Sequence, residues 1–447
     1  MMNNFVIDER ELLAEFRENT QEQFLKYIKQ YEAYIAPIMR ANGYRRINQT
    51  ERTVLFTFGE ITFSRSRWTN GVRTRIPIDE KLGLRKHTRF SKELLYYVSK
   101  LATMMTYRQV GLVIETCLGL QITKDTVLKV IKEADKLLKQ REQFRILKPE
   151  FEQQKIKSKY IYVEGDGVFV KCRENYDKRK NRDLSHFVVH TGRKQVGPNR
   201  FELQNKKEIV HINYEQAKED LLGYIYAHFE ITPDTVLITN SDNGKGYTKR
   251  IFNEIRKALK IQHHEHFWDS YHVNEKVKSI LKPFPEELTS GIFSSMYSNN
   301  KEQAEFVFDT CESLICDDET LVTLLDFKRK FLRNFNQTKP ASLRGIPTHS
   351  IGIMESQHRK ITYRMKHRGM YWSEAGANTM ANLIIMERQE NLRDFFFGSW
   401  RDKYEELDVE GLTGGQIRLR LNNSTNHSFE RTEGKNYQKG PVRRFSK

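Results

Sequence analysis

Apolar residues near the N-terminus recur every three or four positions, which is the spacing of one face of an α-helix. Between Glu9 and Met39 the series consists of Leu13, Phe16, Phe24, Tyr27, Tyr31 and Tyr34. The pattern predicts one long amphipathic helix that stops near Pro37, within an N-terminal region of residues 1–50. This helix either covers its own domain or forms a dimer seam, and its loose register favours the first.

Residues 51–90 change to the period of two that is typical of β-strands. Apolar residues at 54–56, 61 and 63 are followed by Asn70-Gly71, a pair that suits the positive φ angles of a tight turn. We therefore predict a β-hairpin. Four arginines alternate along it and crowd one face, namely Arg65, Arg67, Arg73 and Arg75. That face is either a solvated surface or a contact for phosphate groups.

Residues 91–140 return to a helical period and contain a pair of helices. Thr106 can cap the first helix, Gly119 breaks it, and Thr123 can cap the second. This order predicts a helix-turn-helix, whose second helix would enter the major groove of DNA. The lysines that it would bring to DNA are Lys124, Lys129 and Lys132. The alternative is an ordinary helix pair within an α domain.

The pattern becomes mixed α/β from Lys159 onward. We predict strands at 160–170, 186–190, 209–212, 235–239 and 263–267, with a helix at 214–228 before the fourth strand. Three strands, a helix and a fourth strand is the order of a ribonuclease H-like core. Residues 273–336 are poor in strand signals and predict helices, whereas the polar, basic tail at 411–447 predicts disorder.

Composition indicates a partner and excludes several classes of protein. The chain has 75 Lys and Arg against 58 Asp and Glu, a formal net charge of +17, which points to a polyanionic partner. A hydrophobic content of 38 % excludes a wholly disordered chain. No stretch approaches the roughly 18 apolar residues of a membrane span, and the four cysteines are too scattered for a disulfide framework. We expect a soluble protein of the reducing cytoplasm.

Two carboxylates interrupt the predicted strand at 160–170. Glu164 and Asp166 share one face of it by the period of two, while apolar residues occupy the other face. Gly165 and Gly167 flank Asp166, so a ligand or a second backbone can approach closely there. Either carboxylate could instead make a structural hydrogen bond.

Two further carboxylates follow later in the chain. Asp242 comes just after the strand at 235–239, at the end where the sites of α/β proteins collect. Glu355 lies in a predicted helix at 351–366, one turn before Arg359. Asp242 alone could be a turn residue, and Glu355 alone could form an exposed ion pair with Arg359. Three converging carboxylates are what two Mg²⁺ ions need for the in-line displacement of a phosphoryl group.

Five motifs spread along the chain carry a resemblance to a known family. They are Gly165-Asp166-Gly167, Ser241-Asp242-Asn243-Gly244-Lys245-Gly246-Tyr247, Trp268-Asp269-Ser270-Tyr271-His272-Val273, Gly352-Ile353-Met354-Glu355-Ser356-Gln357 and Arg364-Met365-Lys366-His367-Arg368-Gly369-Met370-Tyr371-Trp372-Ser373. Together they resemble the ISLre-type insertion-sequence transposases, which look related to the mutator-like group of DDE transposases. The resemblance extends from about Thr53 to about Phe397.

The resemblance implies an α+β or α/β fold, with a ribonuclease H-like catalytic domain at 159–272 and 341–400. A helical insertion at 273–340 would interrupt this domain, and a mainly helical DNA-binding region with a β-hairpin would precede it. Asp166, Asp242 and Glu355 would form the catalytic, metal-binding triad, with Glu164 as the alternative to Asp166. Asp269 and His272 match an Asp-x-x-His signature, for which a structural or DNA-positioning role is favoured.

The function implied is that of a DNA transposase, which cleaves element ends and joins their 3′-hydroxyls to target DNA. Its cofactor would be two Mg²⁺ ions, with Mn²⁺ expected to substitute. Its partners would be double-stranded DNA, both the terminal inverted repeats of the element and the target, and further copies of the chain. It would act in the bacterial cytoplasm at the nucleoid, without a membrane partner. Further expected DNA contacts are Lys245, Lys249, Arg359, Arg364, Lys366 and Arg368. The alternatives are a Mg²⁺-dependent structure-specific nuclease and a non-catalytic helix-turn-helix regulator.

Overall fold

A computed structural model describes residues 8–147, 154–174, 178–198, 200–347, 351–366 and 368–409 of the chain. The tail at 411–447 lies outside these residues. Helices and several sheets alternate along the described chain, so the protein has a mixed α+β architecture. Within the described ranges, no helix has the length and apolar character needed to cross a bilayer.

The N-terminal part is a long helix packed on a small antiparallel sheet of order β1-β2-β3. Its elements are α1 (Glu9–Ala41), β1 (Arg45–Phe56), β2 (Gly59–Thr69), β3 (Thr74–Arg75) and α2 (Pro77–Lys81). The predicted long helix is confirmed, but it ends at Ala41, one turn after Pro37. Met39 is buried in this last turn, and the N–H of Asn42 closes it.

The hairpin is confirmed, but its basic face is only partly free. Residues 57–58 join β1 to β2, and Asn70-Gly71 joins β2 to the short β3, with Gly71 at a φ of 90°. Asp79 of α2 forms ion pairs with Arg65 and with Arg52 of β1. Arg75 also pairs with Glu80, so two of the four predicted arginines form ion pairs within the protein.

The predicted helix pair is present as the second and third of three helices, and its second helix is longer than expected. The helices are α3 (Lys92–Met104), α4 (Tyr107–Leu118) and α5 (Lys124–Leu147). Thr106 and Gln109 form a capping box at the start of α4, and Gly119 ends it with a φ of 65°. The charged residues after Gln140 indicate a connector in the sequence, yet α5 continues because Phe144 packs against Trp400 of a later helix, with ring centroids 6.3 Å apart.

The central sheet has the order β12-β11-β5-β6-β9. β11 runs parallel to β5 and β12, whereas β6 runs antiparallel to β5 and β9. The elements in chain order are β4 (Ile156–Lys157), β5 (Tyr160–Glu174), β6 (Lys178–His190), β7 (Arg193–Gly197), β8 (Arg200–Leu203), β9 (Lys207–His211), α6 (Tyr214–His228), β10 (Phe229–Glu230), β11 (Val236–Ser241), α7 (Lys249–Ala258) and β12 (His263–Trp268). The five predicted strands are confirmed, and the small β7–β8 hairpin is an addition.

The two faces of this sheet are covered by different helices. Ile161 and Val163 of β5 pack with residues of α6 and α7 on one face. Val168 and Val170 of the same strand face α5 and two later helices, α12 (Met354–Met365) and α13 (Glu374–Arg388), on the other. Asp166 lies on this second face, next to α12, because side chains alternate along a strand.

The predicted helical segment after β12 is confirmed. It consists of α8 (Ser270–Leu281), α9 (Glu286–Ser298), α10 (Lys301–Ser313) and α11 (Asp318–Asn334), followed by two short 3₁₀ turns at Phe335–Gln337 and Ser342–Arg344. These helices share a separate apolar cluster that includes Trp268. After α12 and α13 the described chain ends with α14 (Leu392–Phe397) and α15 (Trp400–Val409).

Candidate functional site

An acidic notch opens where β5, β11, the start of α8 and the start of α12 meet. It is lined by Gly165, Asp166, Asn240, Ser241, Asp242, Asp269, Tyr271, His272, Gly352, Met354 and Glu355. The structure therefore brings the three predicted catalytic carboxylates together with Asp269 and His272, whereas Glu164 does not line the notch. They come from distant parts of the chain, so the fold alone creates this concentration of negative charge.

Asp166 projects into the notch from the middle of β5. Its Oδ1 accepts a hydrogen bond from the N–H of Gly167 at 2.7 Å. Burial, and secondly the negative charge of Asp242, raise the pKa of Asp166 to about 6. Because two repelling carboxylates share a partly buried space, a divalent cation between them would relieve the repulsion.

Asp242 is held by the loop that follows β11. Its Oδ1 accepts a hydrogen bond from the N–H of Gly244 at 2.7 Å, and its carbonyl accepts one from Trp268 Nε1 at 3.1 Å. A Cβ at Gly244 would lie 2.8 Å from Asp242 Oδ1, so the glycine permits this tight return of the backbone. The loop fixes the carboxylate at the carboxyl end of β11, where the sequence predicts it.

Glu355 lies at the rim of the notch in the first turn of α12. Its side chain is 56 % exposed and forms an ion pair of 3.5 Å with Arg359. Among the described residues, no three Asp, Glu, His or Cys side chains are close enough to ligate one ion in this arrangement. The donor chemistry nevertheless suits Mg²⁺, because Asp166, Asp242 and Glu355 all offer carboxylate oxygens.

Glu164 is buried beneath the notch, and its carboxylate is hydrogen-bonded to other parts of the protein. Only 1 % of the residue is exposed, and its carboxylate accepts hydrogen bonds from Asn240 Nδ2 and from the N–H groups of Gly352 and Ile353, each at 3.0 Å. Burial raises its pKa to about 7, although these donors act in the opposite direction. Glu164 therefore anchors the residues that precede α12, and Asp166 is the carboxylate left open to the notch.

Asp269 and His272 have different surroundings. Asp269 caps α8, since its Oδ1 accepts from the N–H of His272 at 3.2 Å and its Oδ2 accepts from Asn240 Nδ2 at 2.9 Å. The ring of His272 lines the notch and is exposed. Asn240 thus bridges Glu164 and Asp269. We did not predict this residue, and its one sequence signal is an amide that follows the apolar residues of a buried strand.

Two further residues near the notch are also absent from the predictions. His358 follows Glu355 by one helical turn, and its Nδ1 lies 3.6 Å from Asp166 Oδ2. Burial lowers the pKa of His358 to about 3, so its ring is neutral. Asp183 of β6 lies so close to Gly167 that an added Cβ would overlap its carboxylate. His358 could have been predicted, because residues three apart share one face of a helix and His358 follows Glu355 at this spacing. Asp183 could not, because its position depends on how β6 pairs with β5.

The predicted DNA-binding residues have different degrees of exposure. Lys124, Lys129 and Lys132 of α5, Lys245 and Lys249 near Asp242, Arg359 of α12 and Lys366 directly after it are exposed, whereas Arg368 is half-buried against Tyr363. The expectation that Arg364 contacts a DNA duplex does not fit its position. Only 1 % of Arg364 is exposed, because it lies on the inner face of α12 together with Ile361 and Met365.

Comparisons with known proteins give a family match and weak structural likenesses. The model of the uncharacterised protein family UPF0236 matches residues 3–399. A "UPF0236 protein in vanSb 3'region" from Streptococcus gallolyticus is 32 % identical over 346 residues, which cover 76 % of this chain and 73 % of the relative.

Two solved structures align at low sequence identity. The Drosophila P element transposase strand transfer complex aligns over 80 % of this chain and 96 % of that chain, with 10 % identity and a TM-score of 0.24. The Mos1 strand transfer complex aligns over 57 % of this chain and 80 % of that chain, with 12 % identity and a TM-score of 0.15. TM-scores of this size do not establish a shared fold.

Proposed function

The chain belongs to the UPF0236 family, and we propose that it is a DNA transposase that cleaves the ends of an element and joins the freed 3′-hydroxyls to target DNA. The observation that carries the proposal is the convergence of Asp166, Asp242 and Glu355 at one notch. Three carboxylates around an accessible notch in a strongly basic chain suit a metal-dependent reaction on a polyanion.

The order of the sheet supports a ribonuclease H-like assignment of the catalytic domain. Three antiparallel strands, β5, β6 and β9, precede α6, and two parallel strands, β11 and β12, follow on the other side of β5. Asp166 lies on the first of these strands and Asp242 directly follows the fourth. The helices between β12 and the residues before α12 would then form an insertion at 273–340.

Asp166, Asp242 and Glu355 would hold two Mg²⁺ ions. Such ions, when bound, lower the pKa of water and stabilise the attacking and leaving oxygens of a phosphodiester. The chain keeps the acidic ligands in place through Glu164, which fixes the residues before Glu355, and through Gly244, which donates to Asp242. Because Asp166 and Asp242 repel each other without a counter-ion, the notch is arranged to favour a bound cation.

Exposed basic side chains that follow the notch residues along the chain would orient the DNA. Lys245 and Lys249 follow Asp242 by three and seven residues, and Lys366 directly follows α12. The helix pair α4–α5 would recognise the element ends through Lys124 and Lys129. The resemblance to ISLre-type transposases supports these roles, and the joining of two ends would require at least two copies of the chain on DNA.

The test is an in vitro reaction on labelled DNA that carries the flanks of the gene, together with a target plasmid and either Mg²⁺ or EDTA. We expect metal-dependent joined products that Asp166→Ala, Asp242→Ala and Glu355→Ala abolish while DNA binding persists. Asp234→Ala, which removes an exposed carboxylate from the loop before β11, is the matched control and should keep activity.

The same reaction separates the proposal from its rivals. Cleavage without joining would identify a nuclease instead of a transposase. DNA binding without cleavage, at any concentration of Mg²⁺ or Mn²⁺, would identify a regulator. Activity that survives Asp166→Ala would remove Asp166 from the triad.

A further inference from the structure

The long helix α1 has two faces with different surroundings. Its inner face packs on the N-terminal sheet, where it adds four residues to the apolar cluster of β1, β2 and α2, namely Phe24, Leu25, Ile28 and Tyr31. Its outer face carries further large apolar residues that stay exposed, namely Leu13, Phe16, Tyr27, Tyr34 and Ile38. The core of the chain therefore uses only one of the two apolar faces of α1.

The exposed apolar residues of the outer face lie on one line, which we call the outer stripe. Together with the exposed residues Thr20, Gln23 and Gln30, they follow one another in steps of three and four residues from Leu13 to Ile38. Such steps keep a stripe on one side of a helix and are typical of the seam between two paired helices. Each apolar residue of the outer stripe is at least 38 % exposed, so the described chain leaves the stripe open to a partner.

Charge divides α1 into an acidic half and a basic half. Residues 9–22 contain five glutamates and two arginines, whereas residues 23–41 contain two lysines and one arginine against a single glutamate. The two halves thus have formal charges of −3 and +2. Two copies of α1 that run antiparallel would place the acidic half of each beside the basic half of the other. A parallel pair would instead place like charges together.

An antiparallel pair with a two-fold axis near the middle of α1 also matches the outer stripe to itself. Positions whose numbers add up to about 50 then face each other, so Leu13 meets Ile38 and Phe16 meets Tyr34 of the second copy. Apolar side chains thus meet at both ends of the pair, and aromatic side chains are enriched at interfaces between chains. The stripe and the division of charge therefore favour the same orientation.

We propose that the outer stripe binds the outer stripe of a second copy of the chain, with the two α1 helices antiparallel, and that this dimer forms without DNA. The inner face stays on its own sheet, so pairing requires no change in the fold of either copy. A membrane surface fits α1 less well, because helices that lie on membranes are rich in lysine and arginine on their polar face and half of α1 is acidic. The interface uses no residue of the acidic notch, so it is independent of the transposase proposal.

The experiment is sedimentation equilibrium of the full-length protein at a series of concentrations, in EDTA and without DNA. We expect a dimer whose dissociation constant rises about a hundredfold in Phe16→Asn, because a symmetric pair loses the ring twice and each loss weakens binding about tenfold. Tyr34→Asn, at the opposite end of the outer stripe, should act in the same way. The matched control is Val72→Asn, which removes an apolar side chain that is 95 % exposed but lies outside α1. It should dimerise like the wild type, as should Asp242→Ala.

A cysteine cross-link tests the orientation of the two helices. In a chain whose exposed Cys117 and Cys316 are replaced by serine, Phe16→Cys combined with Tyr34→Cys should give disulfide-linked dimers on oxidation. The two positions of one helix are about 27 Å apart, at about 1.5 Å per residue, so a bond between them must join two copies. Phe16→Cys alone should give no such dimers. Efficient cross-linking by Phe16→Cys alone would show a parallel pair and overturn the antiparallel arrangement.

Other results would overturn the proposal as a whole. One is a protein that stays monomeric at every concentration. Another is a dimer that Phe16→Asn and Tyr34→Asn leave unchanged, or that Val72→Asn weakens equally, because its interface would lie elsewhere. A third is a monomer that binds vesicles of phosphatidylserine and phosphatidylcholine through Phe16, since a membrane would then cover the outer stripe.

Discussion

The carboxylate of Glu164 accepts a hydrogen bond of 3.0 Å from the backbone N–H of Gly352, 188 residues later in the chain. This bond joins the central strand β5 to the residues that precede α12. Since Glu355 lies in the first turn of α12, the position of one candidate metal ligand depends on a buried carboxylate that does not itself reach the notch.

Glu164 makes the stability of the metal-free protein depend on pH. Its pKa is about 7 in the folded protein against an ordinary value of 4.5, so the folded state binds the proton more tightly between these values. Its contribution to the free energy of unfolding therefore falls as the pH rises from about 5 to about 8, by up to about 3 kcal/mol. Urea unfolding in EDTA should show a smaller fall in Glu164→Gln, and equal pH slopes in both proteins would contradict this account.

Asp242→Asn should stabilise the metal-free protein and abolish its activity. The asparagine can still accept the hydrogen bond from Gly244, but it removes the charge that raises the pKa of Asp166. We expect a gain of about 1 kcal/mol, seen as a rise of a few degrees in the melting temperature in EDTA. Asp234→Asn, an exposed control, should change neither property. A lower melting temperature for Asp242→Asn would show that the repulsion is unimportant.

Mg²⁺ should stabilise the wild-type protein through the acidic notch. A ligand that binds only the folded state at ten times its dissociation constant adds about 1.4 kcal/mol. We expect this shift in thermal unfolding to disappear in Asp166→Ala and Asp242→Ala. Glu355→Gln should keep part of it, because Glu355 lies at the exposed rim. A full shift in Asp166→Ala would place the cation elsewhere.

Asp79→Ala should destabilise the N-terminal sheet. Asp79 neutralises Arg65 and Arg52, whose Nη1 lies 2.7 Å from Asp79 Oδ2, and all three side chains are largely buried. Its loss leaves two unpaired cations, at a cost of about 3 kcal/mol. Proteolysis should then cut within residues 45–90 first, whereas Glu80→Ala, which removes only an exposed pair with Arg75, should have little effect. Equal resistance of both variants would contradict the prediction.

The helix pair should contribute to DNA affinity through the lysines of α5. Log affinity falls as log salt concentration rises. Replacing Lys124 and Lys129 by glutamine should make this fall less steep, by about 0.9 in the slope for each DNA phosphate that the variant no longer neutralises. The matched control is Lys136→Gln in the same helix, because Lys136 already pairs with Glu133 at 2.7 Å. Filter binding at several salt concentrations measures both slopes. An unchanged slope in the double variant would remove this helix from the DNA interface.

The strands and the notch were predictable because their signals are local. The period of two in β5 places Glu164 and Asp166 on one face, and a carboxylate at the end of β11 shows the position of Asp242 without any tertiary information. A structural hydrogen bond was one of the alternatives for Glu164, but its partners were not predictable in this way. Its three donors come from β11 and from the residues before α12, and no local pattern pairs them with β5.

The remaining differences arise from tertiary packing. Arg364 stands in a basic stretch and resembles a surface residue, but the helical period of α12 directs it to the inner face beneath α3. The end of α5 is charged like a connector, yet the contact of Phe144 with Trp400 keeps it helical. In both cases a contact with a distant element outweighs the local composition.

The separation in sequence between Glu164 and two of its donors, Gly352 and Ile353, also determines when the notch can assemble during protein synthesis. At about 5–20 residues per second, the ribosome needs roughly ten to forty seconds to add the 188 residues that separate Glu164 from Gly352. At the end of that interval the chain has two of the three notch carboxylates, Asp166 and Asp242, whereas α12 with Glu355 has still to be made. Translation products that end before α12 therefore lack both Glu355 and the assembled notch, so the proposed metal site exists only in chains that have been made at least as far as this helix.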